Sequence, residues 1–152
     1  MKLTLAVVAH RRRNPLRNSL FDPAANAYLG RLQGYTPVET AAFRDEPALF
    51  EFVARQSART SAWLVLMDSR GKSQSSEEFA RWLAVSRDAG QQNMIFAIGP
   101  ADGWSDDARR QAQTLLSLGP MTLPHELARV VLAEQLYRAF TILAGHPYHG
   151  GH

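Results

Sequence analysis

Residues 62–68, AWLVLMD, form a nearly unbroken apolar run. A strand with one wet face alternates apolar with polar positions, so a run without that alternation reads as a strand covered on both faces, as in parallel sheets. Residues 2–9 (KLTLAVVA) and 93–98 (NMIFAI) have the same character. Parallel neighbours cannot be joined by a tight hairpin, so each pair demands a crossover, usually a helix. The intervening stretches supply candidates. Asp22 is placed as an N-cap with Pro23 at the first helical position, and Gly34 is placed to stop that helix. Residues 37–43 are a weaker strand. Glu46 and Pro47 open a helix to about Ser57, with Leu49, Phe50 and Val53 at helical spacing. After Asp68 the polar stretch SRGKSQ reads as a loop. Ser75 and Glu78 have capping-box spacing for a helix over 75–88 that Gly90 ends. Ser105 with Asp106 and Asp107 starts another helix, a short strand follows around 115–118, and a long helix runs from about Glu126 to Ala144. The expected fold class is α/β, a mostly parallel sheet flanked by helices, as one domain over 1–152.

In open α/β sheets ligands sit beyond the carboxyl ends of the strands. The loops after Asp68, Ile98 and Leu118 contain Gly71, Gly99 with Gly103, and Gly119, residues that let backbone approach a ligand closely. Together they predict a binding site at one sheet edge, read mainly through main-chain groups. The motifs GxGxxG, GxxxxGK[ST] and GxSxG are absent, which disfavours a standard dinucleotide fold, a P-loop NTPase and an α/β-hydrolase. The chain has no cysteine, so disulfides, thiolate zinc sites, iron–sulfur clusters and cysteine nucleophiles are excluded.

The net charge of +3 is unevenly distributed. Residues 1–44 carry seven basic side chains, including Arg11, Arg12, Arg13 and Arg17, against Asp22 and Glu39. Nearly all of the positive charge is guanidinium, whose planar fork suits phosphate oxygens, so nucleic acid is the first suspected partner. An ordinary solvated basic face is the other reading. The first apolar run precedes the arginines, the reverse of a signal peptide's order, and no run reaches membrane-spanning length, so a cytoplasmic location without membrane association is expected. His146, His149 and His152 could in principle approach a metal, but the tail has no carboxylate or thiolate beside them and no metal is expected. Tyr148 can stack and an imidazole can move a proton. Arg129, Glu134 and Arg138 read by default as surface pairs on the last helix, and Tyr137 and Phe140 as core or subunit-contact residues.

The segments LMDSRGKSQSSEEFA, FAIGPADGW, SLGPMTLPHELARVVLAEQLYRAF and HPYH, in this order, resemble the RlmH-type (YbeA-like) SPOUT methyltransferases. The resemblance covers essentially the whole chain and is strongest from Leu64 onward. It implies a C-terminal trefoil knot, a homodimer, S-adenosylmethionine as methyl donor, and N3 of a pseudouridine in 23S rRNA of the large ribosomal subunit as acceptor. By the same resemblance the donor is held by Leu66, Gly99 and the segment Leu118, Gly119, Pro120, Met121, Thr122 and Leu123. Tyr148, His149 and Arg129 would lie at the target base, with His149 as proton acceptor or relay, Arg129 as anion stabiliser and Tyr148 stacking or orienting. The chain departs from the family pattern at Pro100, which removes a backbone donor, and at Gly150, Gly151 and His152, where members commonly have a basic residue after the histidine. The alternative is a non-catalytic RNA-binding or ribosome-associated protein of the same fold.

Overall fold

The computed structural model describes residues 1–9 and 20–150. Arg11, Arg12, Arg13, Arg17, Gly151 and His152 lie outside the described residues. Five strands, β1 (Lys2–Val8), β2 (Val38–Phe43), β3 (Ala62–Ser73), β4 (Asn93–Ile98) and β5 (Thr114–Ser117), form one sheet in the order β2-β1-β4-β3-β5. Every pairing is parallel. The connections are α1 (Asp22–Leu32), α2 (Glu46–Ser57), α3 (Ser76–Asp88) and α4 (Asp106–Gln111), and α5 (His125–Leu143) follows β5. A 3₁₀ turn, Pro147–His149, ends the described chain.

Strand side chains alternate between two cores, as a pleat with both faces covered requires. Leu3, Leu5, Val7, Val65 and Phe96 point to the side of α1, α3 and α5, where they meet Leu32, Leu83, Leu132 and Leu136. Ala6, Val8, Leu64, Leu66 and Ile95 point to the other side, toward Leu49, Trp104 and Ala108. Tyr137 and Phe140 belong to the first core, as their residue types suggested. The capping box at Ser75 forms: its side chain accepts the Glu78 N–H while Glu78 accepts the Ser75 N–H.

Two local expectations fail. Helix α1 begins at Asp22 itself, Phe21 is the N-cap, and no side chain among the described residues caps it. The Asp22 carboxylate instead accepts a hydrogen bond from Arg129. The stretch SRGKS is not a loop but the second half of β3, which pairs Lys72 with Leu116 and Ser73 with Ser117 after a register shift. Its polar composition suggested a turn, but ladder bonds are made by backbone, and the extra residues are absorbed as an irregularity between Met67 and Lys72. Gly71 is what makes this possible. A Cβ there would lie 2.5 Å from the carbonyl carbon of Leu115, so only a residue without a side chain lets the strands approach.

Candidate functional site

A cavity of about 370 Å³ opens at one edge of the sheet, where the carboxyl ends of β4 and β5 meet the irregular middle of β3, residues 67–70. The strand order makes this inevitable, because β3 lies between β4 and β5 and all three run the same way. Gly99, Leu118, Gly119, Met121, Thr122 and Leu123 line it. Of the residues expected there, Leu66 is fully buried in the core beside Trp104, and Pro120 is exposed between two lining residues without facing the cavity.

Sequence reasoning missed three lining side chains. Trp104, 5% exposed, donates from Nε1 to the Met67 carbonyl at 2.9 Å and forms a fixed aromatic wall. That wall explains Gly99: a Cβ there would sit 2.7 Å from the indole Cε2. Asp68 and Arg109 face each other with Nε to Oδ2 at 2.6 Å, and Arg109 also holds Asp106 at 3.2 Å. Burial acts to raise the Asp68 carboxyl, but the hydrogen bonds from Arg109 and from the Arg70 backbone N–H outweigh it and hold the group below its ordinary range. The signal available for Trp104 was the motif FAIGPADGW, whose last residue had no role assigned. Nothing in one dimension brings Arg109 to Asp68, 41 residues earlier.

The two flanking loops are pinned from outside. Glu46 of α2 accepts from the backbone N–H of Ser105 at 2.8 Å and from its hydroxyl at 2.6 Å, tying down the loop after β4. The Ser117 hydroxyl accepts from the Gly119 N–H at 3.0 Å and donates to the Gly119 carbonyl at 2.9 Å, which fixes the turn after β5.

Tyr148 and His149 form a second cluster, docked across α3 and α5. The Tyr148 hydroxyl donates to Glu134 at 3.1 Å, its ring meets Tyr137 edge-on at 4.8 Å, and the Arg138 guanidinium lies 4.9 Å from its centroid. Burial, followed by the bond to Glu134, pushes the phenol up to about 12, so it is a hydrogen-bond donor at any working pH. His149 meets Arg138 through Nδ1 at 2.9 Å and Glu77 through Nε2 at 2.7 Å. Arg138 offers donors only, so Nδ1 accepts and Nε2 donates to Glu77. This contact holds the Glu77 carboxyl below its ordinary range.

Arg129 does not join them. It is 3% exposed, bonded to Asp22 of α1, and its Nε is buried without a partner among the described residues. Nine residues separate it from Arg138 on one helix, about 13 Å along the axis. The surface pairing expected of this helix forms between Glu134 and Arg138 at 2.8 Å and leaves Arg129 out. Among the described residues no three His, Cys, Asp or Glu side chains group to hold a metal, and no helix is long and apolar enough to cross a membrane.

Comparison with known proteins agrees with this architecture. A ribosomal RNA large subunit methyltransferase H of Koribacter versatilis is 52% identical over 136 residues, covering 90% of this chain and 92% of that protein. The protein of the same name from Dinoroseobacter shibae is 43% identical over 159 residues, covering 98% and 99%. Among solved structures, a probable methylase family protein from Haemophilus influenzae superposes with a TM-score of 0.54 at 9% identity, covering 99% of this chain and 70% of that one. The SpoU methyltransferase AviRb of Streptomyces viridochromogenes, solved with AdoMet, superposes with a TM-score of 0.50 at 14% identity. This chain covers 93% of its own length in that match and spans 58% of AviRb, so the likeness is one of fold. The family model described as a predicted SPOUT methyltransferase matches residues 1–149, and with relatives this similar along nearly the whole chain, the protein belongs to the SPOUT methyltransferase family.

Proposed function

We propose that this chain transfers the methyl group of S-adenosylmethionine to N3 of a pseudouridine in the 23S rRNA of the large ribosomal subunit, acting as a homodimer on ribosomes in the cytoplasm. The observation that carries the reading is the cavity at the ends of β4 and β5 and the middle of β3, in a chain 52% identical to a protein named for large-subunit rRNA methylation. The residues fit such a donor. Met67, Ile98, Leu116, Leu118 and Leu123 give apolar walls suited to an adenine ring, Gly99 keeps the wall flat against Trp104, and about 370 Å³ falls in the range of small-molecule sites. Bound there, S-adenosylmethionine supplies an electrophilic methyl on a sulfonium centre. The chain's own work is to align the attacking nitrogen, exclude water and remove the N3 proton.

His149 is the proton acceptor in this reading, with Tyr148 orienting the base. Its Nδ1 is occupied by Arg138 in the docked tail. We assign the anion-stabilising role to Arg138, which touches both tail residues, in place of Arg129, which Asp22 already neutralises. When Arg138 turns to the developing negative charge on the uracil-type ring, Nδ1 is released to take the proton. Glu77 keeps the hydrogen on Nε2 and so holds the useful tautomer. The second copy would cover the aromatic face of α1 and α5, where Tyr35 is 38% exposed beside Tyr137 and Phe140.

The test is incubation with labelled donor and ribosomes from cells lacking the modification, followed by mapping of the labelled nucleotide. Label on N3 of a large-subunit pseudouridine is the expected result. Transfer to tRNA alone would reject the acceptor. A single-turnover rate of His149→Ala equal to that of the unaltered protein at every pH would remove His149 from the chemistry.

A further inference from the structure

A second cavity, of about 310 Å³, lies between the end of β3, the first turn of α3 and the middle of α5. It shares Leu116, Leu118 and Gly119 with the first, so the two are neighbours on either side of these residues. Phe79, Leu116, Leu118, Val131 and Leu132 give it flat apolar walls, which suit the faces of a planar heterocycle. Its polar atoms are nearly all committed. Gln135 accepts from the Ser76 hydroxyl at 2.7 Å and donates to Glu134 at 2.9 Å, Ser117 is tied to Gly119, and Ser75 caps α3. The buried exception is Gln74, whose Oε1 has no partner among the described residues, while Ser73 is exposed.

The lining runs directly into the docked tail. Ser76 precedes Glu77, which holds His149, and Gln135 follows Glu134, which holds Tyr148. The proton acceptor and orienting residue assigned above are thus held by residues next in the chain to this cavity's lining, and Gln135 touches Glu134 directly.

We infer that this cavity seats the acceptor base, with Gln74 Oε1 accepting the N1–H that pseudouridine has and uridine lacks. The inference rests on the proposed rRNA methylation and names the residue that makes it specific. In pseudouridine the glycosidic bond is to carbon, so the ring keeps two N–H donors, N1 and N3. With N3 turned toward the methyl donor, N1 is the donor left to be read. A buried carbonyl oxygen without a partner is costly to leave unmatched, so it rewards the base that brings a hydrogen and penalises the one that does not.

The experiment compares single-turnover methylation of ribosomes carrying pseudouridine or uridine at the target position, with donor affinity measured separately by calorimetry. The unaltered protein is expected to favour pseudouridine by at least tenfold, the scale of one buried hydrogen bond. Gln74→Leu should erase that preference, slowing the pseudouridine reaction and relieving the penalty on uridine, with donor affinity unchanged. Gln74→Glu, which keeps an acceptor oxygen, should retain the preference. A full preference in Gln74→Leu, or no preference in the unaltered protein, overturns the base assignment while leaving rRNA methylation intact. Failure of the unaltered protein to methylate either ribosome overturns both.

Discussion

Replacing Gly99 with alanine should lower stability by an amount that can be worked from one contact. The added Cβ would stand 2.7 Å from Trp104 Cε2 and 3.0 Å from its Nε1. Carbon atoms rest at about 3.5–4.0 Å, so the indole must retreat by roughly 1 Å. It cannot retreat freely, because it is 5% exposed and bonded to the Met67 carbonyl at 2.9 Å. Overpacking a filled site costs about 1–3 kcal/mol, and stretching that hydrogen bond adds about 1 kcal/mol. The expected loss is about 2–4 kcal/mol, a large share of a typical stability of about 5–15 kcal/mol. Urea unfolding followed by tryptophan fluorescence measures it, and the midpoint should fall with the slope unchanged. The Trp104→Leu variant completes a double-mutant cycle. If the clash with the indole is the cause, alanine at 99 should cost at least about 1 kcal/mol less once the ring is gone. A Gly99→Ala protein within about 0.5 kcal/mol of the parent, or additive effects in the cycle, would refute the reasoning.

Gly71→Ala should be the more damaging change, because its Cβ would meet the Leu115 carbonyl carbon, oxygen and the Leu116 nitrogen at 2.5–2.6 Å, all backbone. A loss above about 3 kcal/mol is expected in the same assay, together with loss of donor binding as the β3–β5 pairing opens, and a near-neutral result would contradict the close approach. Asp68 provides the pH test. Its carboxyl is lower in the folded chain than its ordinary 3.8, so the unfolded chain binds more protons and stability falls as acid is added. The contribution is complete above the ordinary value and is lost as pH drops through the lowered one. Asp68→Asn should therefore flatten the acid limb of the stability curve below about pH 4 and leave its slope near neutrality alone; an unchanged acid limb would show that Asp68 does not supply it.

Three apolar runs, the capping box at Ser75 and Glu78, and glycines after successive strands were enough to read an α/β sheet with a cavity at its edge. Each of these is a local signal, set by backbone propensity, hydrophobic period or the chemistry of a helix end, and all survive in the folded chain except Gly71, which lies within β3 and does not line the cavity. The second half of β3 was not legible, because Ser69, Arg70, Lys72 and Ser73 are polar and exposed and become a strand only by pairing with β5. Asp22 shows the same limit. Its residue type and the following proline suit an N-cap, but a buried guanidinium 107 residues away claims the carboxylate, and a charge so buried needs its partner more than the helix needs its cap.

The site divides along the same line. Gly99 and, Pro120 apart, the segment 118–123 could be named from the chain as cavity lining, since a ligand edge follows from strand direction and the resemblance to known methyltransferases marks those loops. That Trp104 makes glycine necessary at 99, that Arg109 closes on Asp68, that Arg129 is buried away from the tail while Arg138 meets it, and that the Gln74 oxygen is uncommitted among the described residues all depend on which surfaces the crossovers bring together. Local free energies are written in neighbouring residues and can be read from them. Contacts between distant ones are settled by packing, where shape and charge compensation are solved for the whole molecule at once.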